Sequence, residues 1–260
     1  MNRKRLLFLD IIRGITVLHM ILYHLLYDVE YIFGQDIGWF GIRKSYTWEQ
    51  YICWSFILIS GISFRYSRKP WKNGIRLLVC ALILTVVTSV AMPSQIIWFG
   101  VLHFLGFALL IAWLLKPIIQ KIPAGIGMIV FFIAFLFLKN IQQGVIGING
   151  IWEYPLPDVL YQSSFLFGLG FPNAQFVSSD YFPILPWIFL FLTGYYGGVF
   201  YDKGNEWVDA HISGFRDNRI YQMIDKSFGL VGRKSLWIYM LHQPIVYRIL
   251  LVCQMCGVFS

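Results

Sequence analysis

Apolar residues in this chain fall in long runs separated by shorter polar, basic segments. Leu77 to Met92 and Ile122 to Leu138 carry no charged residue. At about 1.5 Å of rise per residue, such runs approach the ~30 Å hydrocarbon thickness of a bilayer. The pattern predicts seven spanning helices, over 5–27, 49–67, 74–92, 96–115, 122–140, 183–201 and 229–253. The expected fold is an all-α, polytopic transmembrane bundle forming one domain over 1–260. Two connections exceed turns. Segment 202–228 is basic, with Trp207, Ile212, Phe215, Ile220, Met223 and Ile224 interspersed, as in a segment lying along a membrane interface. Segment 141–182 holds an apolar stretch, Val159 to Phe171, too short and glycine-broken to cross; a re-entrant or capping segment, an eighth element, is expected there.

The placement of charge orients this bundle. Sixteen of the 21 Lys and Arg lie on the side of the N-terminus, including Arg3, Lys4, Arg5, Arg68, Lys69, Arg76, Arg216, Arg233 and Lys234. Arg43, Lys44, Lys139 and Arg248 lie opposite, and Arg13 lies inside a span. The positive-inside rule then puts the N-terminus in the cytoplasm. Composition agrees: 58% of residues are hydrophobic and 13% charged, about half the charge of a soluble domain. The net charge of +8 follows the loops between spans, which points to a membrane and away from nucleic acid. The first segment is no cleaved signal peptide, because Asp10, Arg13, His19 and His24 interrupt it. Cys53 and Cys80 read as packing residues, and Cys253 and Cys256 form a C-x-x-C without the second pair of a zinc site.

The first span carries the densest chemistry. At about 100° per residue, with Asp10 at zero, Arg13 falls near 300°, His24 near 320° and Asp28 back near 0°. These four share one stripe, whereas His19 falls opposite and is assigned to packing or a local hydrogen bond. Each central charge costs about 2.5–3.5 kcal/mol in a bilayer, so the stripe must face the bundle or a wet cavity. Asp10 and Arg13, at i,i+3, suit an ion pair near the cytoplasmic end. His24 lies about 16 Å further across. Asp28, one turn on, suits a carboxylate that accepts from one imidazole nitrogen and leaves the other basic. His103 opens the fourth span, and Asp180 precedes the sixth on the same outer side as His24. Ser235, Tyr239 and His242 form one polar face of the last span, and Ser60, Gly61 and Ser63 permit close helix approach. The histidines show no metal-ligand spacing, so no metal is expected. Taken alone, the stripe also suits a small proton-coupled transporter, although no internal repeat is visible.

Leu9-Asp10-Ile11-Ile12-Arg13-Gly14, His24, Ser60-Gly61, Gly100-Val101-Leu102-His103, Tyr181-Phe182-Pro183-Ile184-Leu185-Pro186-Trp187 and Leu236-Trp237-Ile238-Tyr239-Met240-Leu241-His242-Gln243-Pro244 occur in this order. Together they resemble bacterial relatives of heparan-alpha-glucosaminide N-acetyltransferase. The opening Asp-x-x-Arg-Gly and closing Tyr-x-x-His-Gln-Pro are also similar to the wider acyltransferase-3 superfamily. The resemblance implies an integral protein of the bacterial cytoplasmic membrane. Its activity would be acetyl (acyl) transfer from cytoplasmic acetyl-CoA to a hydroxyl or amine of an extracytoplasmic glycan or glycolipid. The reading of the residues fits this, with His24, Asp28 and Asp180 as the catalytic group. Arg68, Lys69, Arg76, Arg233 and Lys234 would hold the nucleotide phosphates, with Asp10, Arg13, His103, Ser235, Tyr239 and His242 along the donor's path. Aromatic, lipid-facing spans allow a homodimer.

Overall fold

The computed structural model describes residues 7–41, 43–148, 150–212 and 214–258. Arg3, Lys4 and Arg5, and with them the first two positions of the expected opening span, lie outside the described residues, as does the side chain of Arg216. Among the described residues there are ten α-helices: α1 Leu7–Tyr27, α2 Arg43–Tyr66, α3 Pro70–Ala91, α4 Val101–Leu114, α5 Lys116–Ile119, α6 Ala124–Leu138, α7 Ile184–His211, α8 Arg219–Ile224, α9 Leu230–Arg233 and α10 Ser235–Met255. They belong to two compact units, residues 1–59 with 202–260, and residues 60–201.

Five helical segments among the described residues are long and apolar enough to cross a membrane: Leu7–Ile32, Pro70–Ala91, Ala124–Gln143, Ile184–Val208 and Ser235–Met255. Seven spans were expected. Of the other two, α2 is long but is diluted by Glu49, Gln50, Ser55, Ser60 and Ser63, and α4 has only 14 residues. The apolar faces of these helices look outward. On α3, Val79, Leu82, Val86 and Val90 are exposed while Gly74, Ala81 and Thr85 are buried. On α10, Trp237, Leu241, Ile245 and Ile249 are exposed, and His242, Val246 and Leu250 are buried. Water would penalise such faces by about 25 cal/mol per Å²; lipid does not.

In the second unit, small residues bring helices together. Gly74 and Gly106 each oppose the other's carbonyl, so α3 and α4 approach backbone to backbone. Gly61 lies against the Phe191 carbonyl of α7, as the small-residue reading of Ser60 to Ser63 expects. The buried Tyr196 hydroxyl donates to the Ile119 carbonyl at 2.7 Å, and its ring stacks on Phe131.

Two sequence expectations need correction. Val159 to Phe171 makes neither a re-entrant helix nor a span; it folds into 3₁₀ turns at Asp158–Tyr161 and Leu166–Leu169. Glycine breaks and single-turn hydrogen bonding stop a longer helix there. The all-α expectation also omits a hairpin, β1 Val145–Ile148 paired antiparallel with β2 Trp152–Pro155. Gly147 and Gly150 supply the positive φ that this hairpin needs. In this segment the Tyr181 hydroxyl donates to the Phe167 carbonyl at 2.5 Å and Tyr161 to the Ile141 carbonyl. Burial pushes both phenols above their ordinary range, so they stay donors.

Candidate active site

The polar stripe of α1 faces the C-terminal helices of its own unit. At one end, the Gly14 position is filled by the Phe228 carbonyl, and Gly232 of α9 lies against the Asp10 carbonyl. No Cβ fits at either glycine. Arg13 Nη1 binds Asp10 Oδ1 at 2.8 Å, the ion pair expected from the i,i+3 spacing. Arg233 binds Asp225 Oδ1 at 2.9 Å, and both charges lie within electrostatic reach of Asp10. This end is therefore a four-charge cluster. Asp225, which opens a π-helical turn through Gly229, was not singled out from the sequence, where it sits unremarkably among basic loop residues.

One turn past Met20 the stripe meets α10. The rings of His24 and His242 are 4.9 Å apart, centre to centre. His242 Nδ1 lies 2.6 Å from the Tyr239 carbonyl oxygen. A carbonyl only accepts, so this nitrogen carries the proton and Nε2 carries a lone pair. That Nε2 is buried and has no hydrogen-bond partner among the described residues. Tyr239 itself packs with Val17 and Met20, which fixes the turn that holds His242.

Asp28 behaves differently from the expectation. Its carboxylate is fully buried and accepts from Gln243 Nε2 through both oxygens, at 2.8 and 2.9 Å. The partner is thus an amide on α10, and no hydrogen bond joins Asp28 to His24 among the described residues. The physical reason is local. At Asp28 the α-helix widens into a π-turn through Ile32, with Phe33 N–H donating to the Asp28 carbonyl at 2.9 Å. Widened turns of this kind recur at functional sites. With its NH₂ group committed, Gln243 keeps its Oε1 buried and unpartnered. Among the described residues, two unmet acceptors, His242 Nε2 and Gln243 Oε1, therefore belong to consecutive residues of one helix. Buried polar atoms left this way are rare and ask for a ligand.

His19 lies on the other face, as its angle predicts, and its Nδ1 accepts from the Trp48 indole at 3.0 Å. Ser235 forms the first turn of α10. The donor-side cations are exposed: Arg68, Lys69 and Arg76 around the start of α3, and Lys234 before α10. Arg233 is already committed to Asp225.

Asp180 and His103 belong to the second unit. Asp180 Oδ2 accepts from the Val101 backbone N–H at 3.1 Å, at the first turn of α4. The α4 N-cap is Gly100, which has no side chain to cap with, and a Cβ there would strike Asp180. Expected as a catalytic carboxylate, Asp180 serves in the structure as a helix cap supplied from a distant loop, where its charge also suits the helix dipole. Ser178 reinforces the clasp by accepting from Trp98 N–H and donating to the Trp98 carbonyl, both at 2.9 Å. Phe99 is held at φ +57°, a left-handed conformation costly for a non-glycine residue, and stacks on His103. Asp180→Ala is expected to cost about 0.5–2 kcal/mol through loss of the cap. Thermal unfolding in detergent checks this as a lowered midpoint, with Asp180→Asn losing less.

Residues 5–244 match the family described as "Heparan-alpha-glucosaminide N-acetyltransferase, catalytic". No curated protein and no solved structure matches the chain.

Proposed function

Since the chain belongs to the heparan-alpha-glucosaminide N-acetyltransferase catalytic family and is thus an integral membrane acetyltransferase, we propose that it moves acetyl from cytoplasmic acetyl-CoA to an extracytoplasmic sugar. The acceptor atom is a hydroxyl oxygen or amine nitrogen of a glycan or glycolipid. The chain acts as one domain in a bacterial cytoplasmic membrane, N-terminus inside, with α2 and α4 lying in the bilayer beside the five apolar helices. The Lys and Arg asymmetry supports that orientation. Lys234, in the same unit as His24, holds phosphate of the donor, and the α1 stripe guides its thioester toward His24.

One observation carries the reading: a buried imidazole nitrogen with a free lone pair, His242 Nε2, beside the ring of His24. In the proposed step His24 takes the proton from the acceptor, whose oxygen or nitrogen attacks the thioester carbonyl carbon. The tetrahedral oxyanion collapses, the C–S bond breaks, and the CoA thiolate recovers the proton from the imidazole pair. The Tyr239 carbonyl holds His242 in one tautomer, which leaves its Nε2 able to accept a proton. Asp28 is a positioning residue: it locks Gln243, and so fixes the helix turn that carries His242.

Binding linkage supplies the direct test. A ligand that binds only the folded protein at 100 times its Kd stabilises it by about 2.7 kcal/mol. Acetyl-CoA and CoA are expected to raise the unfolding midpoint, and Lys234→Ala to diminish that rise. No shift with either ligand at millimolar concentration defeats the donor assignment and revives the proton-coupled transporter.

A further inference from the structure

Next to Tyr23, whose ring meets that of His24, an open pocket of about 520 Å³ lies within the first unit. Its walls include Tyr23, Tyr27, Tyr31 and Phe40, together with Glu49 and Arg43. The three tyrosines recur every fourth residue, so they rise along one side of α1 and its π-turn. Their rings form a continuous aromatic lining with Phe40: Tyr27 and Tyr31 lie 4.7 Å apart, and Phe40 meets Tyr23 at 5.3 Å and Tyr31 at 5.5 Å. Phe40 is set in place by its backbone N–H, which donates to Glu30 Oε2 at 3.5 Å. Tyr23 joins the cavity to the reaction centre, because its ring meets His24 edge-on at 6.1 Å.

We propose that this cavity is the acceptor subsite and takes a pyranose ring of the sugar to be acetylated. The proposal rests on the acyl-transfer reading above and adds where the acceptor sits. A sugar ring offers a flat face of C–H groups and a rim of hydroxyls that both donate and accept. Aromatic faces suit the first. The second needs an acceptor and a donor on the same wall, and Glu49 and Arg43 are that pair. Tyr23 Oη donates to Glu49 Oε2 at 3.2 Å, which holds the carboxylate and leaves its other oxygen for a hydroxyl or amine of the ligand. The volume lies in the ordinary range of small-molecule sites, and the mixture of apolar lining with few polar groups is typical of them. An acyl chain fits less well, because burying it here strips water from the carboxylate and the guanidinium without replacing those hydrogen bonds.

The test separates the subsite from the chemistry. Full-length protein in nanodiscs is assayed with methyl α-glucosaminide as the probe acceptor and labelled acetyl-CoA as donor. Tyr31→Ala is expected to raise the acceptor KM about tenfold, the scale of losing one aromatic contact, with the KM for acetyl-CoA unchanged. Tyr31→Phe keeps the ring and should stay near wild type, and Glu49→Gln should weaken the acceptor as Tyr31→Ala does. Calorimetric titration of the same glycoside into His24→Ala protein reads binding without turnover. Binding there that Tyr31→Ala removes supports the subsite even where transfer is absent. The same headgroup on an alkyl chain tells a lipid-linked acceptor from a free one, and Tyr31→Ala must weaken both. Transfer with an acceptor KM unmoved by Tyr31→Ala and Glu49→Gln overturns the subsite and leaves the acetyltransferase reading standing.

Discussion

His242→Ala is expected to lower acetyl transfer by about 10²–10⁴-fold, the range for removing a group that moves a proton in the transition state. His24→Ala should fall equally far. The rings are 4.9 Å apart, and in the proposed step the two imidazoles handle the proton as a unit. Groups that act as a unit are strongly non-additive, and the double variant should be little worse than either single one. The assay is transfer of label from acetyl-CoA to a glycoside in nanodiscs. Retained stabilisation by acetyl-CoA shows that each variant is folded. His19→Ala is the internal contrast. It breaks the bond from the Trp48 indole and should lower thermal stability while sparing the rate. Wild-type turnover in His24→Ala or His242→Ala removes the imidazole pair from the mechanism.

How much of this was legible before folding depends on the range of each interaction. The α1 stripe was readable because helical period alone puts Asp10, Arg13, His24 and Asp28 on one face, and buried charge in a membrane has few places to go. The Asp10–Arg13 pair is local and followed from spacing. The partner of Asp28 was not readable: Gln243 lies 215 residues away, and a rule about neighbouring turns points to His24 instead. The role of Asp180 was missed for the same reason, since its bond to the Val101 N–H spans 79 residues. Helix α7 runs on to His211, past the expected end at 201, even though Asp202 to His211 includes the weak helix formers Gly204 and Asn205. Polarity there marks departure from lipid, and it was read as the end of the helix. The tyrosine ladder did leave a signal, Tyr23, Tyr27 and Tyr31 at regular four-residue spacing. Aromatic residues at a span end usually mean an interface belt, so that spacing carried no weight until Phe40 and Glu49 closed the cavity.

Gly14→Val and Gly232→Val are expected to be the most destabilising single changes in the first unit. A Cβ on Gly14 would occupy the position of the Phe228 carbonyl, and one on Gly232 that of the Asp10 carbonyl. In both cases the obstacle is backbone, which cannot swing aside as a side chain can. Overpacking of this kind costs about 1–3 kcal/mol in ordinary cores, and a β-branched side chain against a carbonyl belongs at or above the top of that range. Gly14→Ala and Gly232→Ala should lose less, in the same direction. Gly204 gives the opposite sign: it is exposed within α7, nothing would meet its Cβ, and Gly204→Ala should stabilise by about 0.5–1 kcal/mol through helix propensity. Thermal unfolding in one detergent, across the series, reads all of these. The consequence reaches the chemistry, because the contact of α1 with α9 sets the register of Asp10, and the same α1 carries His24 to α10. A Gly232→Val protein that unfolds like wild type would mean that α1 does not rest on α9 at this close distance, and the charge cluster at that end would lose its structural basis.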